Sequence, residues 1–249
     1  IYSKNKIVVG SRGDYETLKE AVDWFNKNAV ENTIIQLDSG SHPITDTVFI
    51  NSLKNVKLTI VGYGSNQTYL EAATGLKNKS MITVTSSCDF YDLTLEGSTL
   101  SNYGLNSGEN GINFSASYCS FKIRGCDISR CNVGIGIRGT GIQLEHWNTS
   151  IFNCSKGIEI DSNGAITYFC TTSFFQGNAI NIDLVKSSNL NLVLIAYKFR
   201  LSTGQIGIKY DRANISYTEI SVIGGVNIGQ GGTYISGVDF TNAYDADIE

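Results

Sequence analysis

The sequence predicts an all-β fold, a parallel β-helix whose coils contain about 22 or 23 residues each. The first observation is a repeat in which apolar residues alternate with variable ones, as expected for a strand with one buried face. Successive copies begin 23, 23, 22 and 28 residues apart, at Gly111–Phe114, Gly134–Ile137, Gly157–Ile160, Ala179–Ile182 and Gly207–Tyr210.

Two further short strands complete each repeat. Before the copy at Gly134 they are predicted at Phe121–Ile123 and Asp127–Ser129, with Gly, Asn and Ser residues in the turns. Three short strands in 22 or 23 residues make one coil of a solenoid, and neighbouring coils stack at the inter-strand spacing of about 4.8 Å.

Composition agrees with a single β-rich unit. The 249 residues are 41% hydrophobic and 17% charged, carry a net charge of −4, and include 26 Gly but one Pro. These values exclude a disordered chain and a basic nucleic-acid binder. No run of 18 apolar residues occurs, so membrane insertion is not expected. Neutral, hydrogen-bonding ligands are the more plausible partners.

One helix is predicted, beginning near Asp14. Apolar residues recur at helical spacing at Leu18, Ala21, Val22 and Phe25, and the helix starts either with a capping box formed by Thr17 and Glu20 or with Asp14 as N-cap. Because a stack of coils has an open apolar end, we expect this amphipathic helix to cover it.

Three regions follow from these patterns. Residues 1–30 hold an N-terminal strand and the capping helix, residues 31–223 the β-helix, and residues 224–249 an irregular segment that contacts partners or a further domain. The six cysteines are predicted to be free and buried, with Cys131 stacked on Cys154. The spacing of the cysteines and histidines does not match that of a metal site.

Most of the chain resembles a known family. The segments Gly13–Asp23, Ile34–Ile44 and Leu58–Ser65 are similar to the opening of pectin-lyase-like right-handed β-helix proteins, with a helix, a first coil and an Ile-x-Gly-x-Gly turn. The resemblance implies a right-handed β-helix from about Ile7 to Tyr210. It implies no single activity, because the fold hosts lyases, hydrolases, esterases and non-enzymatic adhesins.

The enzymatic signatures of that fold are missing from this sequence. The motifs typical of polygalacturonase-like, pectate-lyase-like and pectin-methylesterase-like enzymes are all absent. The pectin-methylesterase-like motif, for example, is Gly-x-x-Asp-Phe-Ile-Phe-Gly. The sequence therefore favours a non-enzymatic role.

Outward-facing residues supply a candidate catalytic site. Alternation predicts two outward rows, the first with Asn113, Gly136, Glu159, Asn181 and Lys209, the second with Ser115, Arg138, Asp161, Asp183 and Asp211. Asp161 and Asp183 would then lie about 5 Å apart, the separation used by retaining glycosidases, and their repulsion would raise one pKa. Glu159 and Arg138 complete this candidate catalytic group.

Other residues are candidates for carbohydrate binding. Asn181 and Asp211 lie on the predicted outward rows, and Glu145, His146 and Trp147 combine an acid, a possible base and a stacking ring. No cofactor is predicted, although Asn181 with the neighbouring acids could hold a calcium ion. A solvated surface or a subunit contact is the alternative interpretation of the same rows.

The chain is closest in character to viral tail-spike, fibre and decoration β-helix proteins. This resemblance implies a module for host attachment or particle structure that binds cell-surface carbohydrate. It also implies a virion or extracellular location, a homotrimer, and contacts with other virion proteins and cell-surface polysaccharide. The alternative is a lyase or glycoside hydrolase that acts on acidic polysaccharide.

Overall fold

The computed structural model is a β-solenoid and confirms the predicted fold class. It describes residues 5–73, 76, 79–98, 110–211, 214–215, 218–223, 226–228 and 233–236. Within this part of the chain, 25 strands form three parallel sheets that run the length of the molecule, and one helix lies near the N-terminus. The described helix is too short to cross a membrane.

Each coil contributes one strand to each sheet, and every pairing is parallel. In the described residues, sheet 1 contains β1 (Lys6–Val9), β2 (Thr33–Leu37), β5 (Leu58–Val61), β8 (Cys88–Tyr91), β11 (Ser120–Arg124), β14 (Ile142–Trp147), β17 (Ala165–Thr171), β20 (Asn189–Ile195) and β23 (Thr218–Ile223). Sheet 2 contains β3 (Gly40–Ile44), β6 (Thr68–Ala72), β9 (Thr94–Glu96), β12 (Asp127–Ser129), β15 (Ser150–Phe152), β18 (Phe174–Gln176), β21 (Lys198–Arg200) and β24 (Val226–Ile228). Sheet 3 contains β4 (Val48–Ile50), β7 (Ser80–Val84), β10 (Asn110–Phe114), β13 (Val133–Ile137), β16 (Lys156–Asp161), β19 (Ile180–Lys186), β22 (Ile206–Tyr210) and β25 (Thr233–Ser236).

Side chains of the same type stack inside the solenoid. In sheet 3 the register aligns one inward row of isoleucines, all of them buried: Ile82, Ile112, Ile135, Ile158, Ile182 and Ile208. Burying one such side chain stabilises the fold by roughly 1.5–3 kcal/mol. A register slip of one residue would turn a whole row outward, and this stabilisation would be lost in every coil. The hydrophobic rows therefore fix which residues face outward.

The helix covers the first coil, as predicted. Helix α1 (Leu18–Asn28) has Thr17 as N-cap. The Thr17 hydroxyl accepts the backbone N–H of Glu20, and the Glu20 carboxylate accepts the backbone N–H of Thr17, so both hydrogen bonds of the capping box are present. The buried residues of helix α1 are the four predicted ones, Leu18, Ala21, Val22 and Phe25, and they pack into the main core.

Asn26 connects this helix to the free edge of sheet 3. Its Nδ2 donates to the carbonyl of Phe49 at 2.6 Å, and its Oδ1 accepts the backbone N–H of Asn51 at 3.0 Å. The amide thus satisfies two groups at the edge of β4, which would otherwise be open to pairing with another strand.

The sequence was wrong about the register of one coil. Ile182, not Ile180, is the partner of Ile158, whereas Ile180 pairs with Lys156 and Ile206. The step between these coils is therefore 24 residues instead of 22, because the pattern Ile-x-Leu at residues 182–184 supplies the inward positions. This shift relocates Asn181 and Asp183.

The solenoid also extends past residue 223, where its end was predicted. Val226–Ile228 pairs with β21, and Thr233–Ser236 pairs with β22. The remainder of the predicted C-terminal segment, residues 224–225, 229–232 and 237–249, lies outside the described residues.

The cysteine prediction is confirmed except at Cys119, which is not buried. All six cysteines are free, and all except Cys119 are buried. Cys131 and Cys154 lie in the same row of adjacent coils, and the third member of that row is Asn178, whose Oδ1 accepts the backbone N–H of Cys154 at 2.8 Å.

The turns from sheet 1 to sheet 2 repeat a left-handed residue. Five stacked positions have positive φ, between 48° and 62°: Asp92, Gly125, Asn148, Thr172 and Ala196. Gly, Asn and Asp tolerate this conformation, whereas an L-residue without a compensating local hydrogen bond is strained there by about 1–2 kcal/mol.

Replacing Asn26 with Ala should lower the free energy of unfolding by about 1–2 kcal/mol, because two hydrogen bonds at the edge of β4 are lost. Urea denaturation measures the change. The exposed neighbour Lys27 provides the control, since Lys27→Ala should change stability very little. Equal effects of the two substitutions would show that Asn26 does not secure this edge.

Ala196→Gly should raise the free energy of unfolding by about 1 kcal/mol, because Ala196 is exposed and has φ of 49°. The matched control is Ala165→Gly, which removes a methyl group from an exposed strand position and should lower stability by about 0.5–1 kcal/mol. Thermal unfolding of both variants distinguishes the signs, and destabilisation by Ala196→Gly would contradict the strain argument.

Candidate functional site

Charged side chains on the outer face of sheet 3 form a continuous chain of ion pairs, which we call the charged cluster: Arg138, Lys156, Glu159, Asp161 and Asp183. Glu159 and Asp183 are partners on adjacent strands. Both are mainly buried, with 8% and 2% of the residue exposed. The pair therefore lies beneath the longer side chains rather than in open solvent.

Two cations neutralise these carboxylates. The Lys156 ammonium bonds to Glu159 Oε2 and lies 2.7 Å from Asp183 Oδ2, so one cation serves both acids. Arg138 bonds to Glu159 Oε1, and its Nη1 lies 3.8 Å from Asp161 Oδ2. Such a network holds its members in place and leaves no carboxylate of the buried pair without a cation.

The protonation states follow from this arrangement. Burial raises the pKa of Glu159, but the hydrogen bonds from Lys156 and Arg138 outweigh it, and the pKa is lowered overall. Burial lowers the pKa of Lys156, and its bonds to Asp183 and Glu159 reverse this, so the pKa is raised. At neutral pH Glu159 is an anion and Lys156 a cation, which does not suit Glu159 as a general acid.

The predicted pairing of Asp161 with Asp183 is wrong. A bulge between Ile160 and Asp161 places Asp161 opposite Lys186, and Asp183 lies opposite Glu159. Asp161 and Asp183 are therefore not cross-strand neighbours, and the register does not give them the separation of about 5 Å that a retaining glycosidase uses. The better alignment could have been found from the alternating string Ile182, Asp183, Leu184.

Asn181 does not face outward as predicted. It is fully buried, in the row that Gly111, Gly134 and Gly157 occupy in the earlier coils. A Cβ atom at Gly157 would approach the Asn181 carbonyl oxygen to 2.6 Å, which explains why that position is glycine. The Asn181 Oδ1 accepts from Asn178 Nδ2 at 3.0 Å. Asn181 is therefore a core residue and cannot join a calcium site on the outer face.

Asp211 lies just after β22, beyond the charged cluster. Its backbone N–H donates to the carbonyl of Leu184 at 2.9 Å, and its carboxylate accepts from Asn214 Nδ2 at 2.9 Å. No group of three or more His, Cys, Asp and Glu side chains suited to a metal is found in the described part of the chain.

His146 is also a correction, because it points into the core rather than outward. It occupies the inward row between Ile123 and Cys170, with no exposed surface. Its Nδ1 lies 3.1 Å from the Tyr168 hydroxyl and 3.5 Å from Cys170 Sγ. Burial lowers the pKa of His146 to about 3, so the imidazole is neutral and unable to contact a sugar.

The residues on either side of His146 do face outward. Together with their partners on β11 they form a group that we call the tryptophan patch: Lys122, Arg124, Glu145 and Trp147. The register places Lys122 opposite Glu145 and Arg124 opposite Trp147. The Lys122 ammonium lies 2.9 Å from Glu145 Oε2. This patch brings together two predicted binding residues and two basic residues that the sequence argument missed.

Two cations on the neighbouring strand lie close to the indole of Trp147. Lys122 Nζ lies 5.6 Å and Arg124 Cζ 5.7 Å from its ring centroid, both within the range of cation–π attraction. Trp147 is half-buried. The ring therefore has a defined position on the surface while part of it stays accessible.

Buried contacts support the patch from the preceding coil. The Asp89 carboxylate receives the backbone N–H of Lys122 at 3.0 Å and the Tyr91 hydroxyl at 3.0 Å, and it lies 2.5 Å from Lys57 Nζ. Burial, together with the nearby Asp89, raises the pKa of Tyr91 to about 12. Asp89 thus fixes the strand on which Lys122 is carried.

Solved structures share this architecture. The pectin methylesterase of Aspergillus niger matches with a TM-score of 0.52 and 14% identity, over 97% of this chain and 94% of the enzyme. The carrot pectin methylesterase matches with a TM-score of 0.53 and 14% identity, over 93% and 84% of the two chains. The chain has a pectin-lyase-like parallel β-helix fold. At these identities the likeness concerns the fold alone.

A viral protein also matches, with weaker agreement. The ORF18 protein of Geobacillus virus E2 is 12% identical over 82% of this chain and 52% of its own, with a TM-score of 0.42, which is too low to support an argument about origin or function. No protein-family model matches the chain. A comparison with curated protein sequences finds no relative.

The buried imidazole generates a prediction about pH. Because the folded pKa of about 3 is below the unfolded value of about 6.5, the stability due to neutral His146 is present above pH 6.5 and is lost as the pH falls toward 3. Between pH 7.5 and pH 5.5 this loss should be about 1.4 kcal/mol.

His146→Leu should abolish that part of the pH dependence, since the variant has no proton to bind there. Urea denaturation of both proteins at the two pH values measures it. An equal loss of stability in the variant and the original protein would contradict the placement of His146.

Proposed function

We propose that the chain is a carbohydrate-binding β-helix module of a virion or other extracellular particle, of the tail-spike, fibre or decoration type. It attaches to cell-surface polysaccharide through the outer face of sheet 1. The observation that carries this proposal is the tryptophan patch, in which Trp147 lies within cation–π distance of Lys122 and Arg124 on the adjacent strand and follows Glu145 on its own strand.

The patch offers the two kinds of contact that a sugar needs. A pyranose ring presents a face of C–H groups, which pack on an aromatic ring, and a rim of hydroxyl groups, which need donors and acceptors. Trp147 supplies the accessible ring, Glu145 the acceptors, and Lys122 with Arg124 the donors. The side chains lie on two adjacent parallel strands, a flat surface that suits an extended polymer.

The charged cluster favours attachment over cleavage. The lyase or glycoside hydrolase alternative needs an acid or a base whose pKa is near the working pH. Glu159 instead has a lowered pKa and is bonded to two cations, and Lys156 has a raised pKa. The missing enzymatic signatures support the same choice.

A homotrimer and contacts with other virion proteins belong to this proposal. Beyond the patch the outer face of sheet 1 carries apolar residues among polar ones: Phe169 and Val193 precede Ser221 in one row, Thr171 precedes Ile195 and Ile223 in the next, and Ile223 is 52% exposed. A row of this kind supports a subunit or partner contact, because exposed apolar strands are otherwise prone to association.

Trp147→Ala should weaken binding of the full chain to its polysaccharide at least tenfold, because a stacking contact is lost, while the fold is kept. The measurement is binding to an array of bacterial capsular and lipopolysaccharide glycans, followed by titration of each glycan that binds. Tyr118→Ala is the matched control, since Tyr118 is an aromatic residue that is 84% exposed outside the patch.

Binding that is unchanged in Trp147→Ala would refute the patch as the site, and an array without any binding would refute carbohydrate attachment. Release of oligosaccharides from a bound polysaccharide, abolished by Glu159→Gln or Asp183→Asn, would establish the enzymatic alternative instead.

A further inference from the structure

Exposed apolar side chains gather at one corner of the first coil. Among the described residues, seven large hydrophobic side chains are exposed, and four of them lie within two short segments, 26–34 and 49–57. We call these four the apolar corner: Val30, Ile34, Phe49 and Leu53. Single exposed apolar residues are normal on soluble proteins, whereas a group of them marks a contact surface.

Hydrogen bonds hold the two segments side by side. The bonded pairs are Asn26 with Asn51 at 3.0 Å, Asn28 with Lys54 at 3.5 Å, and Asn32 with Lys57 at 2.8 Å. Val30 comes between the second and third of these contacts on one segment, and Leu53 precedes the second contact on the other. The two side chains therefore belong to one surface.

Leu53 projects from this corner of the solenoid. It lies in the turn that connects β4 of sheet 3 to β5 of sheet 1, and it is 100% exposed, so its side chain does not rest on the rest of the protein. Phe49 faces outward on β4, and Ile34 faces outward on β2 of sheet 1. The apolar corner is therefore convex, with apolar side chains on both adjoining faces and one at its tip.

The charge around the corner is mainly positive. The two segments contain three lysines and a single acid, Glu31. Lys57 is paired with Asp89, at 2.5 Å. Lys27 and Lys54 are exposed, and no carboxylate in the described part of the chain forms an ion pair with either. Two ammonium groups beside the apolar tip are thus available to an external anion.

We infer that the apolar corner docks on an anionic lipid bilayer, with Leu53 entering the boundary between headgroups and acyl chains, and Lys27 and Lys54 contacting lipid phosphates. Apolar side chains that project beside basic ones let a protein lie on a membrane without spanning it. Two copies that met through this corner would oppose lysine to lysine, which disfavours self-association. The inference goes beyond the proposed function, because it adds a lipid contact on the first coil.

Sedimentation with vesicles tests the docking. The full chain should partition about tenfold more strongly onto phosphatidylcholine vesicles that contain about 30% phosphatidylglycerol than onto phosphatidylcholine alone. Added salt should weaken this binding, since it screens the attraction between lysine and phosphate. Equal partition onto the two kinds of vesicle, or binding to neither, would overturn the inference.

Variants locate the contact. Leu53→Asp should lower partition onto the anionic vesicles about tenfold, because it removes the apolar tip and adds a negative charge. Its matched control is Tyr63→Asp, since Tyr63 is 57% exposed in a turn between sheet 1 and sheet 2. Lys54→Gln should weaken binding severalfold, and Lys198→Gln, at an exposed position of sheet 2, is its control. Equal losses in a variant and its control would overturn the inference.

Fluorescence reports whether the tip enters the bilayer. Anionic vesicles with bromine atoms on the acyl chains of phosphatidylcholine should quench Leu53→Trp more strongly than the original protein. Quenching that is no stronger in the variant would overturn the inference. So would an oligomer in solution that Leu53→Asp converts to a monomer, without vesicle binding, since a second copy of the chain would then cover the corner.

This inference and the proposed function can fail separately. Vesicle binding together with a glycan array that shows no binding would keep the lipid contact and overturn carbohydrate attachment. Glycan binding without vesicle binding would keep the proposed function and overturn the lipid contact.

Discussion

Parallel in-register stacking of successive coils is the constraint on which the rest of this structure depends. Each strand pairs with its equivalents in the coils before and after it, so one isoleucine row fixes the direction of every side chain around it. The same rule places Trp147 outward and His146 inward, although they are adjacent in the chain. Function on such a molecule lies on the outer faces and in the turns.

Departures from strict stacking create the features of interest. A register shift after Ile160 places Asp161 opposite Lys186, and two additional residues lengthen the turn at 201–205 between sheet 2 and sheet 3. Neither changes the isoleucine row. The regular core therefore tolerates variation at turns, and this is where a specific surface can form without loss of the fold.

The likeness to pectin methylesterases concerns the scaffold. Two such enzymes share the coil arrangement over more than nine tenths of this chain at 14% identity, whereas this sequence lacks the pectin-methylesterase motif. In the charged cluster the buried acids are bonded to Lys156 and Arg138. A paired and neutralised network of this kind stabilises a surface more readily than it transfers protons.

The sequence predicted the fold well because alternation and helical spacing report burial directly. The capping box, the helix and the stacked cysteines all follow from local patterns. Asn181 and Asp183 were misplaced because Ile180 and Ile182 are equally apolar, and only three-dimensional pairing decides between them. Lys122 and Arg124 were missed because their positions beside Glu145 and Trp147 depend on a neighbouring coil, more than 20 residues away in the sequence.

A crystal structure of the full chain with a bound oligosaccharide from a glycan it recognises would show whether the tryptophan patch is the binding site. We expect a sugar ring packed on Trp147, with its hydroxyl groups bonded to Lys122, Arg124 or Glu145 along the outer face of sheet 1. A sugar bound across Glu159 and Asp183, with Trp147 free of contact, would contradict it.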